Sequence, residues 1–337
     1  MKSRYNLGAR LTDKFATHKI FVKQAPFDDV MWTSYLGPNN AETIEDLKSY
    51  DLAVFDFSSE HWGSGGRLVN SMHDVLTSAH VNFLILSHNP LHHAPDQGIL
   101  YYPHWYEFAR RMFDPVPITD EKQFLLGCLN GTPRSHRIAN LCLLKNKPYW
   151  DQCCTSFYFV PDAPQDPSAV KLNTDEIEFW NVVGPQLPRR GQACSDTEIN
   201  LPAVTDSYIN LVTETSVRPD IFLSEKIWKP IAAGQLFVAL GNPGTMTFLQ
   251  AQGVDTFSDI IDHRHYDNEP NWRQRLRKLH EVLDDLTTQD LPGIYKHTHE
   301  RRRQNQQSFF SGLFAGQYHQ TLLDTIEKRL QCINMLN

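Results

Sequence analysis

The chain has 337 residues and a formal net charge of −7, with 41% hydrophobic and 21% charged residues. That length calls for two ordinary domains rather than one small core, and the mixture is that of a globular chain rather than a disordered one. The negative balance argues against a protein that coats nucleic acid through a general positive field.

The opening "MKSRYNLGARLTDKF" has no apolar h-region, so the reading expects no secretory leader and a cytoplasmic location. No apolar run reaches the ~20 residues needed to span a bilayer. The cysteines (128, 142, 153, 154, 194 and 332) lack the spacing of a zinc site and are expected as thiols rather than as a disulfide framework.

In chain order, "HKIFVKQ" (18–24), "LAVFDF" (52–57) and "NFLILSH" (82–88) read as strands. Between them, "AETIEDLKSY" (41–50) and "RLVNSMHDVLTSA" (67–79) repeat their apolar residues at helical spacing. Strand and helix in alternation predict a parallel sheet covered on both faces. "FDPVPITD" (113–120) reads as a linker. A second series then begins: strand "QFLLGCLNG" (123–131), helix "RSHRIANLCLLKN" (134–146), strand "SFYFV" (156–160), strand "YINLVTET" (208–215) and a further strand-like run, "TFSDII" (256–261). The stretch from 161 to 203 is a long polar excursion, and the chain from 270 onward is mostly helical. The expectation is an α/β protein with an N-terminal domain over 1–118 and a C-terminal domain over 119–337 that includes the terminal helices. A cleft is expected between them, with ligands beyond the carboxyl ends of the strands.

The most informative stretch is "FLSEKIWKPIAAGQLFVALGNPG" (222–244). Ser224 is placed as an N-cap, which puts Glu225 and Lys226 in the first helical turn. Ile227, Ile231 and Gly234 share a face suited to docking on a sheet, and Pro230 keeps the helix short or kinked. A lysine at the positive end of the helix dipole is unfavourable for the helix itself, and that local inconsistency points to function. Free backbone N–H groups and an ammonium together make a diphosphate site; the alternative is an exposed Glu–Lys pair on an ordinary helix.

Residues 208–244, "YINLVTETSVRPDIFLSEKIWKPIAAGQLFVALGNPG", resemble the donor-binding segment of the α1,3-fucosyltransferase family: a hydrophobic strand with an acidic end, a spacer, a Ser/Thr-Glu-Lys helix start, a second strand and a Gly/Pro turn. The resemblance implies a GT-B-like fold, two Rossmann-like domains facing a cleft, with the sugar nucleotide held by the C-terminal one. It implies Glu225 on ribose or donor-sugar hydroxyls, Lys226 on the diphosphate, and Glu214 facing the sugar. This chain has Thr-Glu-Thr where the family has Glu-Asn, and its spacer "SVRPD" differs, with Arg218 as an extra phosphate contact.

Upstream, "LNGTPRSHRIANLCLL" places Arg134, His136 and Arg137 at a strand-to-helix turn, where arginines can grip a nucleotide diphosphate bidentately. "DFSSEHWGSGG" (56–66) offers a base for an acceptor hydroxyl: Glu60 first, then Asp56 and His61. His88 and Asn89 are possible lining for an acceptor pocket, and Tyr266 and Asp267 are second-tier residues with a structural role expected first. The chain contains no Asp-x-Asp, so no metal and no resident cofactor are expected, the co-substrate being a UDP- or GDP-type sugar nucleotide.

The function expected is a metal-independent, inverting glycosyltransferase acting on a saccharide hydroxyl. Two alternatives stay open: transfer to a hydroxylated DNA base, and a non-catalytic nucleotide-binding protein. The basic clusters "NWRQRLRKLH" (271–280) and "ERRRQ" (300–304) are expected as solvated helix faces, and they would serve a DNA acceptor.

Overall fold

The computed structural model describes residues 7–24, 41–58, 67–131, 133–156, 172–186 and 197–334. The chain forms two compact units: Met1–Phe108 with Asp220–Phe222 and Ala315–Asn337, and Ala109–Pro219 with Leu223–Phe314. Each is an α/β unit on its own four-stranded, all-parallel sheet.

In the first unit the chain runs through α1 (Leu7–Lys14), β1 (Ile20–Gln24), α2 (Ala41–Lys48), β2 (Leu52–Phe57), α3 (Arg67–Ser78), β3 (Phe83–Ser87) and β4 (Ile99–Tyr101), then enters α4 (His104–Met112). The sheet order is β1-β2-β3-β4. Every residue of β2 and β3 is buried, so these strands read as continuous apolar runs rather than alternating ones. Ala53, Phe55, Phe57, Phe83 and Ile85 pack on Val69, Met72 and Leu76 of α3. On the opposite face Leu52, Val54, Leu84 and Leu86 meet Leu11 and Phe15 and, from the far end of the sequence, Leu322, Ile326 and Leu330 of the last helix (Gly316–Asn334, α12). Each such buried side chain contributes roughly 1.5–3 kcal/mol. The reading in sequence order groups the terminal helices with the second domain; α12 instead covers the first sheet, because its apolar stripe finds its partner there.

The second unit holds β5 (Phe124–Leu129), α5 (Ser135–Lys145), β6 (Cys153–Ser156), α6 (Thr174–Val182), α7 (Pro202–Thr205), β7 (Ser207–Thr213), α8 (Glu225–Ala232), β8 (Leu236–Leu240), α9 (Thr245–Ala251), α10 (Trp272–Thr287) and α11 (Leu291–Ser311). Its sheet order is β6-β5-β7-β8. The chain goes outward from β5 to β6, returns past β5 to β7, and continues to β8. The direction therefore reverses between β5 and β7, and at such a switch point the loops diverge and leave a crevice beyond the carboxyl ends of the strands. A Cβ on Gly127 would collide with the Ala203 carbonyl, so α7 approaches β5 this closely only because the strand carries a glycine there.

Several expectations are corrected. "TFSDII" is a turn, not a strand: Phe257 has φ +58°, and its carbonyl accepts from both Ile260 and Ile261. Its apolar residues, Phe257 and Ile261, are buried as plugs rather than as a strand face. The strand expected over 156–160 begins earlier, at Cys153, and 157–160 lie outside the described residues. The basic clusters are not uniformly solvated. Arg275 and Arg302 are 1% and 0% exposed. Arg302 donates to the carbonyls of Gly234 and Tyr295 and pairs with Asp120. Around them, Arg273 pairs with Glu176, Arg301 with Asp255 and Asp259, and Arg303 with Glu300.

Candidate functional site

The switch between β5 and β7 is where the basic helix starts meet. β5 runs out through Asn130 and Gly131 into α5, whose N-cap is Arg134 (φ −113°, ψ 148°) with no side-chain capping bond. β7 ends at Thr213 and is followed by Glu214 and the spacer that leads to α8. Ser224 takes an extended N-cap conformation there (φ −92°, ψ 179°), and its hydroxyl accepts from the Lys226 N–H at 3.4 Å. Ile227 and Ile231 are fully buried on the other side of α8, as their spacing predicts, and Pro230 lies within a helix of 8 residues. Between these elements is a pocket of about 520 Å³, open to solvent, whose polar lining includes Asn130, Thr213, Glu225, Lys226 and Lys229.

Charge is concentrated around this pocket. Lys226 Nζ donates to Glu225 Oε1 at 2.5 Å, to Thr215 Oγ1 at 3.3 Å and to Ser224 Oγ at 3.4 Å. Arg137 is buried and donates to the carbonyls of Thr213 (3.4 Å) and Glu214 (3.2 Å). Burial and the neighbouring Arg134 lower its guanidinium to about 10, so it stays charged at neutral pH. His136 Nε2 donates to the Glu214 carbonyl at 2.8 Å, which fixes its tautomer. Burial, reinforced by Arg137, pushes this imidazole down to about 3, so it is neutral.

Two carboxylates in this small volume are driven in opposite directions. Burial raises Glu214 above the ordinary carboxylate range, and that outweighs the opposing pull of Lys226 and Ser224. Glu225 is nearly as buried, but the charge and hydrogen bond of Lys226, with Lys229 behind, overcome its desolvation and lower it. Glu214, expected to face a sugar, is instead fully buried and turned inward. Oε1 accepts from the Ser224 N–H at 3.2 Å, and Oε2 accepts from the Ser224 hydroxyl at 2.5 Å and the Thr215 N–H at 2.9 Å. The carboxylate ties the end of β7 to the start of α8, an energetically better use of a buried acid than a contact with solvent.

A polar layer below holds the rim. Thr213 Oγ1 donates to Asn130 Oδ1 at 2.6 Å, which links the ends of β5 and β7 across the switch. Arg275 donates to the carbonyls of Gly241 (3.1 Å) and Val217 (2.8 Å) and to that of Glu269, bracing the spacer against the turn after β8. Sequence reasoning missed Arg275, Asn130 and Thr213. For Arg275 a signal existed, since helical spacing puts it beside Leu276 and Leu279 on the buried face of α10. Lys229 was missed too, although it lies four residues from Glu225, one turn along the helix.

Of the residues singled out from sequence, Arg137, Glu214, Glu225 and Lys226 come together here, and Arg134 lies close enough to act electrostatically on both His136 and Arg137. Arg218 is half-buried in the spacer; its N–H donates to Ser216 Oγ (3.2 Å) and its carbonyl accepts from Asn242 (2.7 Å). Asp267 is structural: it accepts from the Met246 N–H (2.9 Å), the Thr247 N–H (3.0 Å) and the Thr247 hydroxyl (2.9 Å), and so closes the start of α9. Tyr266 is buried, with its hydroxyl 2.8 Å from His263 Nδ1.

In the first unit, Asp56 is the penultimate residue of β2, is 1% exposed, and accepts from the Ser58 N–H (3.0 Å) and hydroxyl. Burial lowers His104, while the charge of Asp56 works in the opposite direction. Glu60 and His61 lie outside the described residues. His88 packs edge-on against Phe222 at 5.3 Å between ring centroids, and Asn89 caps the turn Pro90–His92 while donating to Asp220 at 3.4 Å. Among the described residues, no three His, Cys, Asp or Glu side chains gather to hold a metal ion, and no helix is long and apolar enough to cross a membrane.

No protein-family model and no curated protein matches the chain. Among solved structures it is similar to the DNA-modifying enzyme β-glucosyltransferase, determined in the presence and absence of uridine diphosphoglucose. The two are 10% identical, with 93% of this chain and 99% of that one covered and a TM-score of 0.37.

Proposed function

We propose that the protein is a GT-B-type glycosyltransferase that moves a hexose or deoxyhexose from a nucleotide diphosphate sugar to an acceptor hydroxyl, with inversion and without a metal ion. The single observation that carries this reading is the convergence, at the switch point of the second sheet, of two helix starts that bear cations: Arg134 and Arg137 on α5, and Lys226 beside Glu225 on α8. Arg134, Arg137 and Lys226 take the diphosphate, Arg218 adds to them from the spacer, and Glu225 takes ribose or sugar hydroxyls. Glu214 acts through Ser224, holding the lysine-bearing helix start in place.

In the reaction the acceptor oxygen forms a bond to the anomeric carbon as the bond from that carbon to the diphosphate oxygen breaks. The acceptor proton passes to a base, one of Asp56, Glu60 or His61, and the leaving nucleoside diphosphate gains a negative charge. Positioned cations that meet this developing charge lower the barrier more than they strengthen ground-state binding. A saccharide acceptor is favoured over a DNA base. Of the arginines that would serve a polynucleotide, Arg275 and Arg302 are buried and Arg273, Arg301 and Arg303 are ion-paired, which leaves Arg277 as the exposed one.

A panel of UDP- and GDP-sugars, read first by thermal shift and then by release of free nucleoside diphosphate with saccharide acceptors, tests the proposal. A stabilising donor that is turned over supports it. A nucleotide sugar that binds but never yields free diphosphate, with any acceptor, would make the chain a non-catalytic binder. Activity on a polynucleotide that collapses steeply with added salt would replace the saccharide with DNA.

A further inference from the structure

The three donors of the Lys226 ammonium face three protein oxygens: Glu225 Oε1 at 2.5 Å, Thr215 Oγ1 at 3.3 Å and Ser224 Oγ at 3.4 Å. An ammonium has three protons, so it can grip a phosphate oxygen only by giving up at least one of these. Ser224 and Thr215 are neutral hydroxyls, and the Ser224 hydroxyl also donates to Glu214 at 2.5 Å. Glu225 is the consequential partner. It is 4% exposed, and a carboxylate that loses its cation inside the protein is strongly destabilising.

One helical turn further on, on the same face of α8, is Lys229. It is 5% exposed and lines the same pocket as Glu225 and Lys226. A second lysine buried beside one carboxylate exceeds what a static ion pair requires. It is what an exchange requires: one cation leaves Glu225 for the ligand while the other stays.

We infer that Lys229 is a positioning residue that holds Glu225 in place when Lys226 turns from it to a diphosphate. The inference rests on the donor-site reading above and adds to it a division of labour, in which Lys226 touches the ligand and Lys229 acts through Glu225. A rival role for Lys229, direct attraction of the diphosphate, gives a different pattern in a double-mutant cycle.

The cycle is measured by calorimetry with UDP, GDP and inorganic pyrophosphate as probes, on wild type, K229M, E225Q and E225Q/K229M, with K229R as the conservative control. The expected result is that K229M weakens the best probe by about tenfold or more, the size of an ordinary coupling between sites. K229R retains affinity, and the K229M effect largely vanishes in the E225Q background, where no buried charge needs holding. An equal loss from K229M in both backgrounds means direct contact with the ligand and overturns the exchange. So does wild-type affinity in K229M. If K229M does not fold, K229Q takes its place in the same cycle, because the comparison with E225Q cancels purely structural losses. Failure of every probe to bind wild type overturns the donor-site reading itself, whereas probes that bind wild type but are indifferent to K229M overturn only the exchange.

Discussion

Three strands of the second sheet pass into helices along one edge, and the three helices begin in different ways. α9, after β8, starts on a built-in anion: the Asp267 carboxylate accepts from two of its first N–H groups and from the Thr247 hydroxyl. α8, after β7, has the neutral Ser224 as its cap and the Glu225–Lys226 ion pair in its first turn. α5, after β5, has Arg134 at its N-cap, no capping side chain, and Arg137 one turn in. A helix N-terminus attracts negative charge, worth about 0.3–1 kcal/mol at an exposed end. α9 satisfies that preference internally, α5 opposes it, and α8 offsets its Glu225 with Lys226; α5 and α8 lie on either side of the switch point. The difference teaches where an external anion is expected: at the two starts that carry cations, and not at the one that Asp267 already closes.

Substitutions can break or sharpen this contrast. At neutral pH, removing the internal anion has the largest expected effect. Asp267→Ala leaves two N–H groups and a hydroxyl at α9 without their acceptor and should lower the unfolding free energy by about 2–3 kcal/mol in urea melts. A loss under 0.5 kcal/mol would mean that α9 does not depend on its anion.

Acid should act next, through His136 at the start of α5. Its folded pKa, about 3, lies below the ordinary histidine value of 6.5. The unfolded chain therefore takes up a proton that the folded one refuses. The stability this neutral imidazole supplies is fully present above pH 6.5 and is lost as pH falls toward 3, by up to about 1.4 kcal/mol per pH unit. His136→Gln should flatten that slope in denaturant melts from pH 6.5 to 4. An unchanged slope would show that the imidazole is not held neutral.

Ser224→Ala, which removes a cap and one of Glu214's partners, is expected to cost about 1 kcal/mol of stability. The smallest net effect is that of Lys226→Met. It removes a cation from the positive end of α8, a gain of a few tenths of a kcal/mol, and takes from Glu225 its nearer partner while Lys229 stays beside that buried carboxylate, so the net loss should stay below about 1 kcal/mol. A loss of several kcal/mol, the cost of a buried carboxylate left without a cation, would make Lys226 a structural residue and show that Lys229 does not hold Glu225.

The strands and the α8 start were legible because their determinants are local. Val, Ile, Leu and Phe runs in β2, β3, β7 and β8 need no partner to be read, and Ser224 with Glu225 is a capping signal contained in neighbouring residues. What was not legible depends on distant partners. Nothing near Arg275 announces that its guanidinium reaches the carbonyl of Val217, 58 positions away. Phe257 and Ile261 have a strand's composition, but the left-handed backbone at Phe257 turns the chain, and burial of both rings and branches is achieved without a ladder. Glu214 was identified as belonging to the site but not as an inward strut, because its partner Ser224 is ten residues on, across a spacer whose path the sequence does not dictate.

The central claim is that the basic starts of α5 and α8 form one diphosphate site. Calorimetric titration of UDP and GDP into wild type and Lys226→Met, at matched salt, tests it most directly. The account predicts that one of the two nucleotides binds wild type and that the substitution weakens it by about tenfold or more, the loss of a charge-assisted phosphate contact, while the protein stays folded with a stability loss below about 1 kcal/mol. Equal affinity in the two proteins would contradict it.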